Sequence, residues 1–191
     1  MSDMAICILA GGQATRLPGK LEMDFQGQPL VVRVFENLRG SYPIYISAKG
    51  AFGAPIDAVL QAPMIVDRWI GRGPLAGLIT VFSEVLHERM FVVAGDAPFV
   101  NTQTLQTLRE GWRAGDEAVV AEPLLALYDR AAFLKAAWPV FSEGSAAVKD
   151  VIAILAARTV RVELPALTNI NTPGDLRGVR EKYTPKYEEL F

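Results

Sequence analysis

Two stretches without a polar residue, Met4-Ala5-Ile6-Cys7-Ile8-Leu9-Ala10 and Met90-Phe91-Val92-Val93-Ala94, constrain this chain most. A strand that is apolar on both faces must be covered on both faces. Helical spacing supplies the cover. Leu30, Val31, Val34, Phe35 and Leu38 form one stripe, stopped at Gly40. Leu75, Leu78, Ile79, Phe82, Val85 and Leu86 form another, opened by Pro74. Leu105, Leu108 and Trp112 form a third, with Asn101 or Thr102 as N-cap. Short strands are expected at 44–47, 64–66, 118–121, 124–128 and 160–162, and helices at 54–60, 130–137, 145–156 and 173–182. Such alternation predicts an α/β fold, a three-layer α/β/α sandwich on a mostly parallel sheet. The 191 residues suit a single domain over 1–191, with a polar tail at 183–191.

Composition removes several function classes. A net charge of -2 carries no basic surplus for nucleic acid. No apolar run reaches the ~18 residues of a membrane span. The chain enters its first strand without the basic and apolar regions of a secretory leader, so a cytoplasmic setting is expected. One cysteine, Cys7, and one histidine, His87, exclude a His/Cys zinc site and disfavour nucleophilic triads. Cys7 reads as inert core, and His87 as a surface or C-capping residue.

In doubly wound sheets, ligands bind at the carboxyl ends of strands. Here Leu9-Ala10-Gly11-Gly12 ends the first strand, and Arg16 and Lys20 follow in a polar loop over 11–27. Bare main-chain N–H groups beside two cations suit a polyphosphate. A Walker A loop is disfavoured, because Ala14 stands where its first glycine belongs and Leu21 replaces its hydroxyl. Asp67 and Asp96 each follow a strand, and Asp96, beside Gly95, is the stronger magnesium ligand. Gly71-Arg72-Gly73-Pro74-Leu75-Ala76 formally fits a dinucleotide fingerprint, but reads better as a loop leading into a helix whose N-terminal dipole faces the site. In Asn169-Ile170-Asn171-Thr172-Pro173, Thr172 and Pro173 suit an N-cap and first turn. The two asparagines alternate about Ile170 and are free to face one way.

In this order, these blocks resemble the molybdenum cofactor guanylyltransferases, nucleotidyltransferases with a glycosyltransferase-A-like, Rossmann-related fold. The blocks are Leu9-Ala10-Gly11-Gly12 with Arg16, Gly19 and Lys20; Gly27-Gln28-Pro29-Leu30; Asp67; Gly73-Pro74-Leu75-Ala76-Gly77-Leu78; Gly95-Asp96 with Pro98; and Asn169-Ile170-Asn171-Thr172-Pro173. The resemblance implies transfer of GMP from GTP to the terminal phosphate of molybdopterin cofactor, with release of pyrophosphate. It implies that Leu9, Ala10, Gly11, Gly12, Lys20, Ser47, Asp67, Gly73, Pro74, Leu75 and Asp96 bind nucleotide. Arg16, Lys20 and Asp96 would serve catalysis, Asp96 would hold Mg²⁺, and Asn169 and Asn171 would meet the acceptor. It also implies protein partners in cofactor delivery. The paired glycines favour guanine within the family. Three departures stand out: the short Leu17-Pro18-Gly19 link, Ser47 where the family has a nucleotide-contacting asparagine, and a stretch before Pro123 that lacks the family's charged hairpin with histidine. The alternatives are a cytidylyltransferase or a sugar- or lactyl-phosphate nucleotidyltransferase, a dinucleotide-binding redox protein, and a non-catalytic partner of molybdoenzymes.

Overall fold

The structure, a computed structural model, describes residues 3–11 and 17–183. Gly12 and Arg16, and the tail beyond 183, lie outside the described residues.

In chain order the elements are β1 (Met4–Leu9), β2 (Asp24–Phe25), β3 (Gln28–Pro29), α1 (Leu30–Leu38), β4 (Ile44–Ala48), α2 (Ala54–Leu60), β5 (Met64–Val66), α3 (Gly73–Glu84), β6 (Arg89–Ala94), α4 (Thr102–Gly111), β7 (Ala118–Glu122), β8 (Leu125–Asp129), α5 (Arg130–Ser142), α6 (Val148–Ile152), β9 (Ala157–Thr159) and α7 (Pro173–Tyr183). Seven strands form one sheet in the order β5-β4-β1-β6-β8-β7-β9. Strands β5, β4, β1 and β6 are mutually parallel, and β8 runs antiparallel to both of its neighbours. The chain steps outward from β1 to β4 and β5, then crosses to place β6 on the other side of β1. That reversal opens a crevice at the carboxyl ends of β1, β4 and β6.

Alternation along β1 builds both cores. Ala5, Cys7 and Leu9 face the layer of α3, α5 and α6, whereas Ile6, Ile8 and Ala10 face that of α1 and α4. Cys7 is fully buried, and burial pushes its thiol well above the usual range, as an inert core residue requires. A third, smaller cluster joins Leu17, Phe25, Leu30, Ile170, Leu176 and Val179, with Phe99 packed against it. It ties the loop after β1, the loop after β6 and the start of α7 together.

Several expectations need correction. The strand expected at 160–162 lies at Ala157–Thr159, and all three of its residues are exposed. Periodicity cannot find an edge strand with no buried face. The helix expected over 145–156 shrinks to Val148–Ile152, with Val148 and Val151 as its buried residues. The helix expected at 130–137 instead runs through Pro139 to Ser142. His87 is no C-cap: α3 ends at Glu84 with Val85 as its cap, and the imidazole meets the Tyr45 hydroxyl at 3.3 Å. The loop over 11–27 carries a small hairpin, β2–β3, whose turn residues Gln26 and Gly27 both have positive φ.

Candidate functional site

The strand-end residues come together as the crevice requires. Gly95 donates its N–H to the Leu9 carbonyl at 3.0 Å, which locks the end of β6 to the end of β1. A Cβ on Gly95 would stand 3.2 Å from that oxygen, so glycine is what permits the approach. The next residue, Asp96, accepts a hydrogen bond from the Lys20 ammonium through Oδ2. Lys20 also donates to Asn171 Oδ1 at 3.0 Å. The Ile170 N–H returns to the Asp96 carbonyl at 2.9 Å. Residues 20, 96 and 171, far apart in the chain, therefore form one polar knot, and the third apolar cluster anchors all three segments beneath it.

Beside this knot, Asp67 sits in a box of glycines. Its Oδ1 accepts the Ser47 hydroxyl at 2.6 Å. A Cβ at Gly11 would lie 2.0 Å from Asp67 Oδ2, and one at Gly77 would lie 2.7 Å from Ser47 Oγ and 3.1 Å from Asp67 Oδ1. Gly11 is thus bare because a carboxylate fills the space, a constraint the glycine pair alone does not reveal. Burial pushes the Asp67 carboxyl above its ordinary value, opposed by the Ser47 hydrogen bond and the Lys49 charge. Ser47 is fully buried, and its hydroxyl is spent on Asp67. Leu75 is also fully buried, and its N–H is spent on the Ala146 carbonyl.

Two cavities flank the knot. One, of ≈ 490 Å³, is lined by Ala10, Lys20, Glu22, Ala48, Lys49 and Phe52, among others. The other, of ≈ 380 Å³, includes Pro74, Ala94, Ala97, the Glu122–Leu125 turn, Lys149 and Asn169. Both fall in the size range of small-molecule sites. Asn169 and Asn171 do not face one way. Asn171 meets Lys20, whereas Asn169 lines the second cavity. Pro74 lines that second cavity too, away from Lys20. Lys49 is the residue that strand-end reasoning passed over, although it follows β4 directly.

The geometry also settles lesser points. Thr172 Oγ1 accepts the Asp175 N–H at 3.1 Å, and Asp175 Oδ2 accepts from Asn171 and Thr172 N–H, both at 2.8 Å. Those bonds hold the Asp175 carboxyl below its ordinary value, the Asn171 N–H first. Gly73, at φ 74°, opens α3 against Ala146, where a Cβ would stand 2.7 Å from the Ala146 Cβ. Packing accounts for that glycine without a dinucleotide. Among the described residues no three His, Cys, Asp or Glu side chains gather as a metal cage. Asp96 instead offers a lone carboxylate on which a cation, the Lys20 ammonium, already rests. That suits a metal taking its remaining ligands from phosphates and water. No helix among the described residues is long and apolar enough to cross a membrane.

Comparison with known proteins agrees along nearly the whole chain. The family model for the MobA-like NTP transferase domain matches residues 6–166. A protein of Natronomonas pharaonis named probable molybdenum cofactor guanylyltransferase is 29% identical over 95% of this chain and 99% of its own length. A Geobacillus protein of the same name is 31% identical over 68% of this chain and 72% of its own. The crystal structure of molybdopterin-guanine dinucleotide biosynthesis protein A from Archaeoglobus fulgidus superposes with a TM-score of 0.80, at 27% identity, over 94% of this chain and 98% of that one.

Proposed function

Because the chain belongs to the family of MobA-like NTP transferase domains, we propose that it is a molybdenum cofactor guanylyltransferase, transferring GMP from GTP to the terminal phosphate of molybdopterin cofactor. One observation carries the reading: Lys20, which lines the ≈ 490 Å³ cavity, bridges Asp96 and Asn171, and their near neighbours Ala97 and Asn169 line the ≈ 380 Å³ cavity, so one polar knot lies next to room for two substrates.

The ≈ 490 Å³ cavity takes the nucleotide, with its triphosphate toward Lys20 and the main chain of Leu9, Ala10 and Gly11. Gly12 and Arg16 complete that loop in the sequence. Asp67, held by Ser47 against Gly11, shapes the guanosine side, and Gly73 opens α3 against Ala146. The acceptor enters the ≈ 380 Å³ cavity past Pro74 and Asn169. An acceptor phosphate oxygen attacks the α-phosphorus. The bond to the β-phosphate oxygen breaks, and pyrophosphate leaves with the electron pair. A phosphate monoester is nucleophilic at neutral pH, so no general base is needed, in keeping with a chain that has one histidine. The protein aligns two anions and neutralises their charge. Lys20 shifts from Asp96 onto the nucleotide phosphates and follows the developing negative charge. Asp96 would hold Mg²⁺, which would supply further charge neutralisation on the phosphates. The setting is cytoplasmic, and delivery of the product involves protein partners.

Supplying molybdopterin cofactor and GTP, CTP, ATP or UTP in turn, with Mg²⁺, and weighing the product tests the reading. A guanylylated product with GTP is expected. A cytidylylated product, or none with any nucleotide, overturns it.

A further inference from the structure

The nucleotide cavity has cations to meet its ligand, whereas the acceptor cavity is lined by one asparagine, Asn169, for an anionic substrate. Among its lining residues one side chain is cationic: Lys149, on the first turn of α6. It is exposed, and none of the ion pairs among the described residues involves it. Its position is nevertheless fixed. Val148 and Val151, on either side of it, are buried in the core beneath α3. The turn before α6 is tied by Ser145 Oγ, which donates to Asp150 at 2.5 Å and accepts the Ala147 N–H at 3.1 Å. The Ala146 carbonyl accepts the Leu75 N–H, and Gly73 lies directly on Ala146. A short helix is thereby clamped to the start of α3, with Lys149 lining the cavity. The remaining lining is largely apolar, with one acid, Glu122. Such a wall suits a flat heteroaromatic body, and Glu122 turns an anion away from the hairpin side toward Lys149.

We propose that Lys149 is an acceptor-selecting residue: its ammonium binds the phosphate monoester of a heteroaromatic acceptor lying in the ≈ 380 Å³ cavity. The inference rests on the two-substrate reading above, but it is tested apart from turnover. A charge-assisted hydrogen bond of this kind is worth about a tenfold change in affinity or more.

The probes are the phosphate monoester of 6-hydroxymethylpterin and its unphosphorylated parent, titrated calorimetrically against the whole protein. The wild type binds the ester at least about tenfold more tightly than the parent. Lys149→Ala abolishes that difference and leaves affinity for the parent and for GTP unchanged, and Lys149→Arg restores it. In turnover, Lys149→Ala raises the acceptor KM and leaves the GTP KM alone. Equal binding of ester and parent by the wild type, or an undiminished preference in Lys149→Ala, overturns the proposal. Neither result touches the guanylyltransferase reading, which stands or falls on product mass. An intact thermal transition shows that Lys149→Ala folds, and Lys149→Arg gives a second reading of the same contact.

Discussion

The two cavities beside the Lys20–Asp96 pair come from opposite halves of one sheet, and they differ in kind. The nucleotide cavity lies where parallel strands β1 and β4 stop together, at Ala10 and Ala48. Its wall carries several small residues, Ala10, Gly19, Ala48, Gly50 and Ala51, together with the cations Lys20 and Lys49. The acceptor cavity lies where β6 meets antiparallel β8, and the Pro123-Leu124 turn folds side chains over the gap. Its wall is therefore mostly carbon. On the proposed assignment, strand direction sorts a polyphosphate to one side and a ring system to the other.

The sharpest way to break this division is to remove what both halves share. Asp96→Ala should lower kcat by about 10²–10³-fold with either substrate saturating, as lost electrostatic stabilisation does elsewhere. Lys20→Ala should match it. Steady-state pyrophosphate release at wild-type rates in either variant would remove that residue from the chemistry.

Gly11→Ala attacks the nucleotide half alone. The new Cβ would sit 2.0 Å from Asp67 Oδ2 and force the carboxylate off Ser47. Overpacking of this kind costs about 1–3 kcal/mol. Urea denaturation should register that loss, and GTP affinity should fall while binding of the acceptor holds.

Asn169→Ala attacks the other half. Losing one neutral hydrogen bond should raise the acceptor KM about tenfold or less and leave the GTP KM in place. A rise in the GTP KM instead would show that the cavities are not separate.

The smallest effect is a pH dependence. The Asp67 carboxyl titrates higher in the folded chain than in the unfolded one. Its contribution to stability is therefore fully present below the ordinary carboxylate value of about 4, and is lost as pH rises through the higher folded value. Asp67→Asn removes that slope. Melting temperature against pH should show the variant ahead at neutral pH and the gap closing in acid, even as GTP binding weakens.

Much of this was legible in the residues. Strands β1 and β6 announce themselves because both of their faces are buried, and the rule that ligands gather at strand ends finds Asp67, Asp96 and the glycine turn. Ser47 is named by the resemblance alone, and strand parity turns its hydroxyl inward onto Asp67. Lys49, directly after β4, carries the strand-end signal and lines the ≈ 490 Å³ cavity. Gly11 reads as a phosphate cradle, and the structure adds a carboxylate pressed on the same spot. That contact joins β1 to the residue after β5, strands that are not neighbours in the sheet, and no spacing in the chain encodes it. Edge strand β9 is misplaced and α6 is drawn too long for lack of periodic burial.

The small cluster around Ile170 has a mechanical consequence. Phe25 stacks edge-on against Phe99 at 5.9 Å, and Leu17, Ile170 and Val179 share the same plug. The front of the chain, its middle and α7 are therefore riveted at a single point. Shortening the protein from its far end would disarm the loop nearest its beginning, and a tightened grip at one substrate would be felt as stiffness at the other.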